Sequence, residues 1–220
     1  MQSTLRHLAI IMDGNRRWAA RHGRPARDGH QAGARMAVRI VRAAAPWQIE
    51  FLTLFAFSSA NWRRTSSEVR SIFTLARQVL DDLSAACVEQ GVRVCLLGRT
   101  DRLPPRLVGG LERLTRDTAG GNRTLRIALD YSSQDAILAA ASGWRDGDDR
   151  AAFERRLTGD APPVDLLIRT GNEQRLSDFL LYECAFAELH FSSRLWPDFD
   201  EAALAEALAW FGRRQRRFGG

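Results

Sequence analysis

Lysine is missing from this 220-residue chain: all 32 of its lysine-plus-arginine positions are arginine. Such a bias can reflect genome composition, so only the places of particular arginines carry meaning. Cysteine is scarce as well. The three present (Cys87, Cys95 and Cys184) are an odd, widely spaced set in apolar surroundings. They read as reduced core thiols of a cytosolic protein, not as a disulfide frame or a zinc site. Long apolar runs are lacking too: the longest, such as Phe51 to Phe57, are strand-sized, far below the roughly 18–20 residues of a membrane span. The opening Met1–His7 lacks the basic-then-apolar pattern of a secretion signal. There is no internal repeat, low-complexity tract or obvious linker, so residues 1–220 read as one domain.

What is present is ordinary globular material: 45% apolar, 26% charged and 9% aromatic residues, enough apolar surface to offset the entropy of ordering. A formal charge of +6 points to a polyanionic partner: nucleic acid, an anionic membrane or a small phosphorylated substrate. Apolar runs alternate with amphipathic stretches, which argues for βα units on a mainly parallel six-stranded sheet flanked by helices. Strands are expected near Leu8–Met12, Phe51–Phe57, Val92–Leu97, Leu125–Leu129, Val164–Ile168 and Leu189–Phe191. Helices are expected over Arg17–Arg21, Gly33–Ala44, Glu68–Val88, Leu107–Asp117, Gln134–Ala141 and Glu201–Arg213. The polar segment Gly143–Pro163 reads as a loop with a short helix.

The chemistry begins at His7-Leu-Ala-Ile-Ile-Met12-Asp13-Gly14-Asn15-Arg16-Arg17-Trp18. A buried strand ends at Met12, a tight turn follows, and a helix opens at the arginines. Such a turn aims backbone N–H groups above the strand's carboxyl end, and the arginines add charge suited to phosphate oxygens. A carboxylate beside a phosphate site is repulsive unless Mg²⁺ bridges the two. The competing reading is a plain capping turn in which Asp13 or Asn15 caps the helix.

The whole string resembles the first signature of the cis-prenyltransferases, the undecaprenyl diphosphate synthase family, and the likeness continues in order along the chain. Gly29-His30-Gln-Ala-Gly33 resembles the family's Gly-His-x-x-Gly element. Ala56-Phe-Ser58-Ser59-Ala60-Asn61-Trp62-Arg63-Arg64, followed by Glu68-Val69, resembles the second signature. Ile168-Arg169-Thr-Gly-Asn-Glu173-Gln-Arg175-Leu-Ser177 and Ala185-Phe-Ala-Glu188-Leu-His-Phe resemble the third. Leu195-Trp-Pro-Asp-Phe199 and the terminal Arg216-Arg217-Phe-Gly-Gly220 complete it. The resemblance implies an α/β fold with a hydrophobic tunnel for a growing prenyl chain, walled in part by the strand Phe51–Phe57 and the helix Glu68–Val88. It also implies a homodimer in which the C-terminal arginine reaches the partner's site.

The implied reaction couples an allylic prenyl diphosphate to a second five-carbon diphosphate. By resemblance, Asp13 binds Mg²⁺, while Gly14, Asn15, Arg16 and Arg17 grip the departing diphosphate. Arg169, Arg175 and Ser177 form the acceptor's clamp. Glu188 approaches the metal across the dimer interface, or serves only as a surface or interface salt bridge. Asn61 stands at the family's proton-acceptor position, with Ser58 and His30 beside it; an amide is a poor base, so Asn61 reads as an orienting group and diphosphate as the proton's destination. Ser59, Arg64, Trp18 and Trp62 complete the substrate-binding set, the two indoles either shielding a cation or simply packing. His30 has a plainer reading as a turn residue, and His7, His22 and His190 read as structural.

Several positions depart from the family pattern: Ala60 in place of an acid, Ala26 in place of an arginine, and Asp130-Tyr-Ser-Ser-Gln134 in place of Asn-Tyr-Gly-Gly-Arg. Asn172 stands where glycine is usual and Asp178 where asparagine is. Two enzyme readings follow. Isopentenyl diphosphate is the acceptor in a cis head-to-tail condensation, favoured by the retained clamp; or dimethylallyl diphosphate is the acceptor in a lavandulyl-type head-to-middle coupling, favoured by Ala60. A non-catalytic partner subunit is a third reading, opposed by Asp13. The nucleic-acid reading fades for want of any recognition motif. Peripheral membrane contact is expected only with a long product.

Overall fold

The computed structural model describes residues 5–215; the terminal Arg216–Gly220 run, including the arginine expected to reach a partner, lies outside them. The first strand, β1 (His7–Ile11), is buried at every position, as a strand covered on both faces must be. Leu8 and Ile10 point into the larger core, Ala9 and Ile11 into a smaller one on the other face, following the two-residue period of extended chain. After β1 come α1 (Asn15–Arg21), α2 (Ala26–Ala44), β2 (Phe51–Ser58), α3 (Ser66–Gln78), α4 (Leu80–Glu89) and β3 (Val92–Leu97). The chain continues through α5 (Pro105–Asp117), β4 (Arg123–Tyr131), α6 (Ser133–Ser142), α7 (Arg150–Thr158), β5 (Leu166–Arg169), β6 (Glu188–Phe191) and α8 (Glu201–Gly212).

The strands form one six-stranded sheet in the order β3-β4-β2-β1-β5-β6. Every neighbouring pair is parallel, so the sheet is wholly and not just mainly parallel. Onward connections run from β1 to its neighbour β2 on one side and from β5 to its neighbour β6 on the other. The carboxyl ends of the adjacent strands β1 and β5 therefore flank a switch point, where open α/β sheets leave a crevice. Among the described residues no helix is long and apolar enough to cross a membrane.

Three expectations need correction. The helix expected from Gly33 begins at Ala26, directly after Pro25, whose fixed φ suits a helix entrance; His30 therefore lies inside α2 and not in a turn. The stretch Glu68–Val88 is two helices, broken at Val79 (φ −96°, ψ 0°). The break seats Leu80 against Gly110 of α5, where an added Cβ would lie 2.6 Å from Leu80 Cδ1. Finally, α1 has no side-chain cap: its N-cap is Gly14 at φ 110°, which excludes the reading of Asp13 or Asn15 as a cap. A side chain at Gly14 would be strained there and would meet Leu195.

Candidate active site

Asp13 leaves the end of β1 with its backbone tied on both sides. Its N–H donates to Thr170 Oγ1 at 2.9 Å, and Thr170 Oγ1 donates back to the Asp13 carbonyl at 2.7 Å. Trp196 N–H donates to the same carbonyl at 2.9 Å. The Asp13 carboxylate thereby faces Arg169 at the end of β5, whose Nη2 donates to Oδ2 at 2.9 Å, and Arg17 of α1, whose Nη2 donates to Oδ1 at 3.2 Å. Arg169 is 4% exposed, and its Nη1 donates to Ser177 Oγ at 2.7 Å and to the Arg175 carbonyl at 2.6 Å. Arg17 Nη1 donates to the Gly171 carbonyl at 2.6 Å. Glu173 lies between Arg17 (3.4 Å) and Arg175 (2.6 Å). The first and third signatures, some 156 residues apart, thus close on one carboxylate.

A second cluster borders the first. Glu68 of α3 accepts from Arg64 Nη1 at 2.9 Å and stands 3.9 Å from Arg16. His30 Nε2 is 3.6 Å from Glu68 Oε1, too long for a hydrogen bond, and it is buried without any hydrogen-bond partner. Burial lowers the His30 pKa, Arg64 lowers it further, and Glu68 opposes both. The ring is therefore neutral near pH 7. Asn15 Oδ1 is likewise buried and unpartnered, packed so closely on Gly33 of α2 that a side chain at Gly33 would collide with it. Ser58 and Asn61 form a reciprocal turn at the end of β2: Ala60 N–H donates to Ser58 Oγ, and Ser58 N–H donates to Asn61 Oδ1 at 3.1 Å. The Asn61 amide nitrogen is left as a donor.

These residues line two joined polar spaces. One cleft runs along Asp13, Gly14, Asn15, Arg16, Arg17, Arg64, Glu173 and Arg175; an inner recess is bounded by Asp13, Ser58, Asn61, Arg64, Arg169, Arg175 and Ser177. Beneath them an apolar cavity of about 140 Å³ runs between α2, α3, α4, α5 and the sheet, past Ala56, Ile72, Ala76, Leu80 and Leu107. Met12, Asn15 and His30 border all three spaces. Polar and apolar compartments therefore adjoin at these residues. Around the polar part stand five guanidinium groups (Arg16, Arg17, Arg64, Arg169, Arg175) against the carboxylates of Asp13, Glu68 and Glu173. That surplus suits a polyanion.

Not every expected residue faces this space. Trp18 donates from Nε1 to Asp198 at 2.7 Å and packs on His22 and Arg24. Trp62 donates to Asp130 at 2.8 Å and packs on Phe57 and Phe73. Neither indole, nor Ser59, lines the cleft, the recess or the cavity. Glu188 opens β6 in register with Leu166, at the amino end of the sheet, and pairs with Arg214 at 2.9 Å; within one chain it is at the opposite end from Asp13. Glu68, Thr170 and Glu173 had been assigned no role, although all three stand in the quoted motifs.

No cluster of three or more His, Cys, Asp or Glu side chains among the described residues is arranged to hold a metal. Asp13 nonetheless fits Mg²⁺, which commonly takes one or two carboxylates and completes its shell with phosphate oxygens and water. Its carboxylate is 30% exposed and retains lone pairs beyond the two that accept from arginine.

Residues 11–219 match the family described as putative undecaprenyl diphosphate synthase. The chain is 50% identical over 219 residues to isoprenyl transferase 1 of Bradyrhizobium diazoefficiens, covering 97% of this chain and 89% of that protein. It is 42% identical over 226 residues to the ditrans,polycis-undecaprenyl-diphosphate synthase ((2E,6E)-farnesyl-diphosphate specific) of Pseudomonas aeruginosa, covering 97% and 90%. Lavandulyl diphosphate synthase from Lavandula x intermedia, crystallised with dimethylallyl diphosphate, matches with a TM-score of 0.94 at 33% identity over 99% of each chain. A probable undecaprenyl diphosphate synthase from Campylobacter jejuni matches with a TM-score of 0.82 at 28% identity, over 99% of this chain and 100% of that one.

Proposed function

Since the chain belongs to the undecaprenyl diphosphate synthase family of prenyltransferases, we propose that it condenses an allylic prenyl diphosphate with isopentenyl diphosphate, head to tail and in cis geometry. The observation that carries this reading is an arginine-rich cleft lying directly against an apolar cavity, the two sharing Met12, Asn15 and His30 as walls. A diphosphate ester with a hydrocarbon tail needs both compartments in one line.

The barrier is loss of diphosphate from the allylic carbon. The C1–O bond breaks, its electron pair leaves with the diphosphate, and positive charge develops at C1. Arg16, Arg17 and the free backbone N–H groups opening α1 stabilise the departing anion. The acceptor's double bond supplies the pair for the new bond to C1, and a proton then leaves its C2. Arg169, Arg175 and Ser177 hold the acceptor's diphosphate with that double bond turned toward C1. The freed diphosphate is the better base for the C2 proton; Asn61 orients and neutral His30 stays uncharged beside the developing cation. Mg²⁺, when bound at Asp13, neutralises the leaving diphosphate. The same reading takes in a homodimer whose C-terminal arginine and Glu188 approach the partner's cleft.

Ala60 supports a second reading. An exposed methyl group replaces the usual acid at the start of the turn that holds Asn61, which alters the charge around the donor. In that reading dimethylallyl diphosphate is the acceptor and coupling is head to middle. Incubation with Mg²⁺ and dimethylallyl diphosphate, with and without isopentenyl diphosphate, separates the two. Product that requires isopentenyl diphosphate establishes elongation; product from dimethylallyl diphosphate alone establishes irregular coupling and overturns the first reading.

A further inference from the structure

Beyond the cleft, one surface is charged in a way the reaction does not use. Arg70 and Arg77 of α3, and Arg106 and Arg113 of α5, are exposed. Each pair is seven residues apart, two turns along one helix face. Arg70, Arg77 and Arg106 rim a mainly apolar groove of about 440 Å³ floored by Phe73, Pro104 and Leu107, with no acid on its walls. The adjoining groove of about 630 Å³ carries Arg77, Arg106, Arg113 and Arg116 with Asp81, Glu112 and Asp117. Among the described residues none of these five arginines is in an ion pair; other exposed arginines, such as Arg21, Arg35 and Arg155, are unpaired as well. What sets these five apart is that they converge on two adjoining grooves, one of them mainly apolar. Unpaired guanidinium groups around an apolar floor suit the phosphates of a lipid layer, since each loses no internal partner on docking.

The position of the patch is as telling as its charge. Leu107 lines both the inner apolar cavity and the outer groove, and Leu80, at the break between α3 and α4, lines both the cavity and the second groove. A wall one side chain thick therefore separates the space for the hydrocarbon tail from the arginine-rimmed surface. We propose that the α3–α5 face docks on an anionic phospholipid bilayer, with Arg70, Arg77, Arg106 and Arg113 bound to lipid phosphates. Docked in this way, the enzyme holds the Leu80 and Leu107 wall of its apolar cavity against lipid. The biological purpose rests on the prenyl-product reading; the docking itself does not.

The test is co-sedimentation of the full chain, without substrate, with phosphatidylcholine vesicles and with vesicles in which about a third of the lipid is phosphatidylglycerol. Binding is expected only with the anionic vesicles, and it falls as salt rises. Arg77→Glu/Arg106→Glu weakens it at least about twentyfold, while Arg35→Glu/Arg155→Glu, a charge-matched change elsewhere, keeps most of it. Turnover of soluble short diphosphates is unchanged in Arg77→Glu/Arg106→Glu, which shows that the variant folds. No binding to anionic vesicles, or equal loss in both variants, overturns the proposal. Preference for double-stranded DNA over the vesicles overturns it in favour of a different polyanion. Vesicle binding without any prenyl transfer leaves the docking intact and overturns the assigned reaction instead.

Discussion

Arg169 Nη2 reaches Asp13 Oδ2 at 2.9 Å across the gap between the ends of β5 and β1, while its Nη1 holds Ser177 at 2.7 Å. One buried fork thus links the residue suited to the metal with the residue suited to the acceptor diphosphate. Lysine offers a point charge and cannot span both. Arg169→Lys is expected to lower kcat/KM by about a hundredfold or more, as loss of a preorganised donor does. Steady-state kinetics with both diphosphates check this; a loss of less than about threefold contradicts the link.

Glu68 is expected to act through His30 and Arg64. Its carboxylate favours the protonated imidazole, against burial and Arg64. In Glu68→Gln that support is gone, so His30 binds its proton still less readily. The acid limb of the kcat/KM–pH profile then moves to lower pH, and KM for diphosphate rises as Arg64 loses its anchor. A shift of the limb to higher pH contradicts the assignment.

Ala56 is exposed in the middle of the otherwise buried β2 because it faces a cavity: it lines both the polar recess and the apolar space. Ala56→Phe narrows that passage. The expected outcome is a shorter mean product by mass spectrometry, with the first condensation retained. Unchanged product length shows that the tail takes another course.

His7 links stability to acid. It is fully buried, its Nδ1–H donates to the Pro162 carbonyl at 2.8 Å, and its Nε2 accepts from Thr53 at 2.7 Å. The Thr53 bond, with Nε2 as acceptor, needs the neutral ring, whereas the Pro162 bond favours the protonated one. Burial, chiefly, lowers its pKa to about 4, so the unfolded chain binds the proton first as pH falls. The His7 contribution is complete above about pH 6.5 and is lost on the way down to about pH 4, on the order of 3 kcal/mol. Urea midpoints across that range check the slope, and His7→Gln is expected to flatten it; an equal slope in both proteins rules His7 out.

Much of this architecture is readable in the amino-acid order. The strands announce themselves because parallel strands buried on both faces are written as continuous apolar runs, as in Leu8–Ile11 and Leu166–Ile168. The break at Val79 is hidden because Ile72, Phe73, Ala76, Leu80 and Leu83 keep helical spacing across it. Three departures from the family pattern become intelligible only in three dimensions. Asp130, Asn172 and Asp178 all have positive φ, at 50°, 61° and 63°, where glycine, asparagine and aspartate are the usual choices. These substitutions keep the backbone and change the side chain. Asp130 uses its carboxylate to take Arg102 in two bonds of 2.8 and 2.6 Å, and Asp178 accepts from Gln134 N–H at the start of α6. The convergence of Glu68, Thr170 and Glu173 on the site is a matter of long-range contact, which spacing along the chain does not express.

The central claim is that the cleft at Asp13 transfers a prenyl group into the cavity below it. The most direct measurement is Mg²⁺-dependent turnover of an allylic diphosphate with isopentenyl diphosphate by the natural sequence and by Asp13→Ala, with circular dichroism confirming that both are folded. The account predicts chain-extended product from the first and loss of at least about a thousandfold in rate from the second. Asp13→Ala turning over at the natural rate would contradict it.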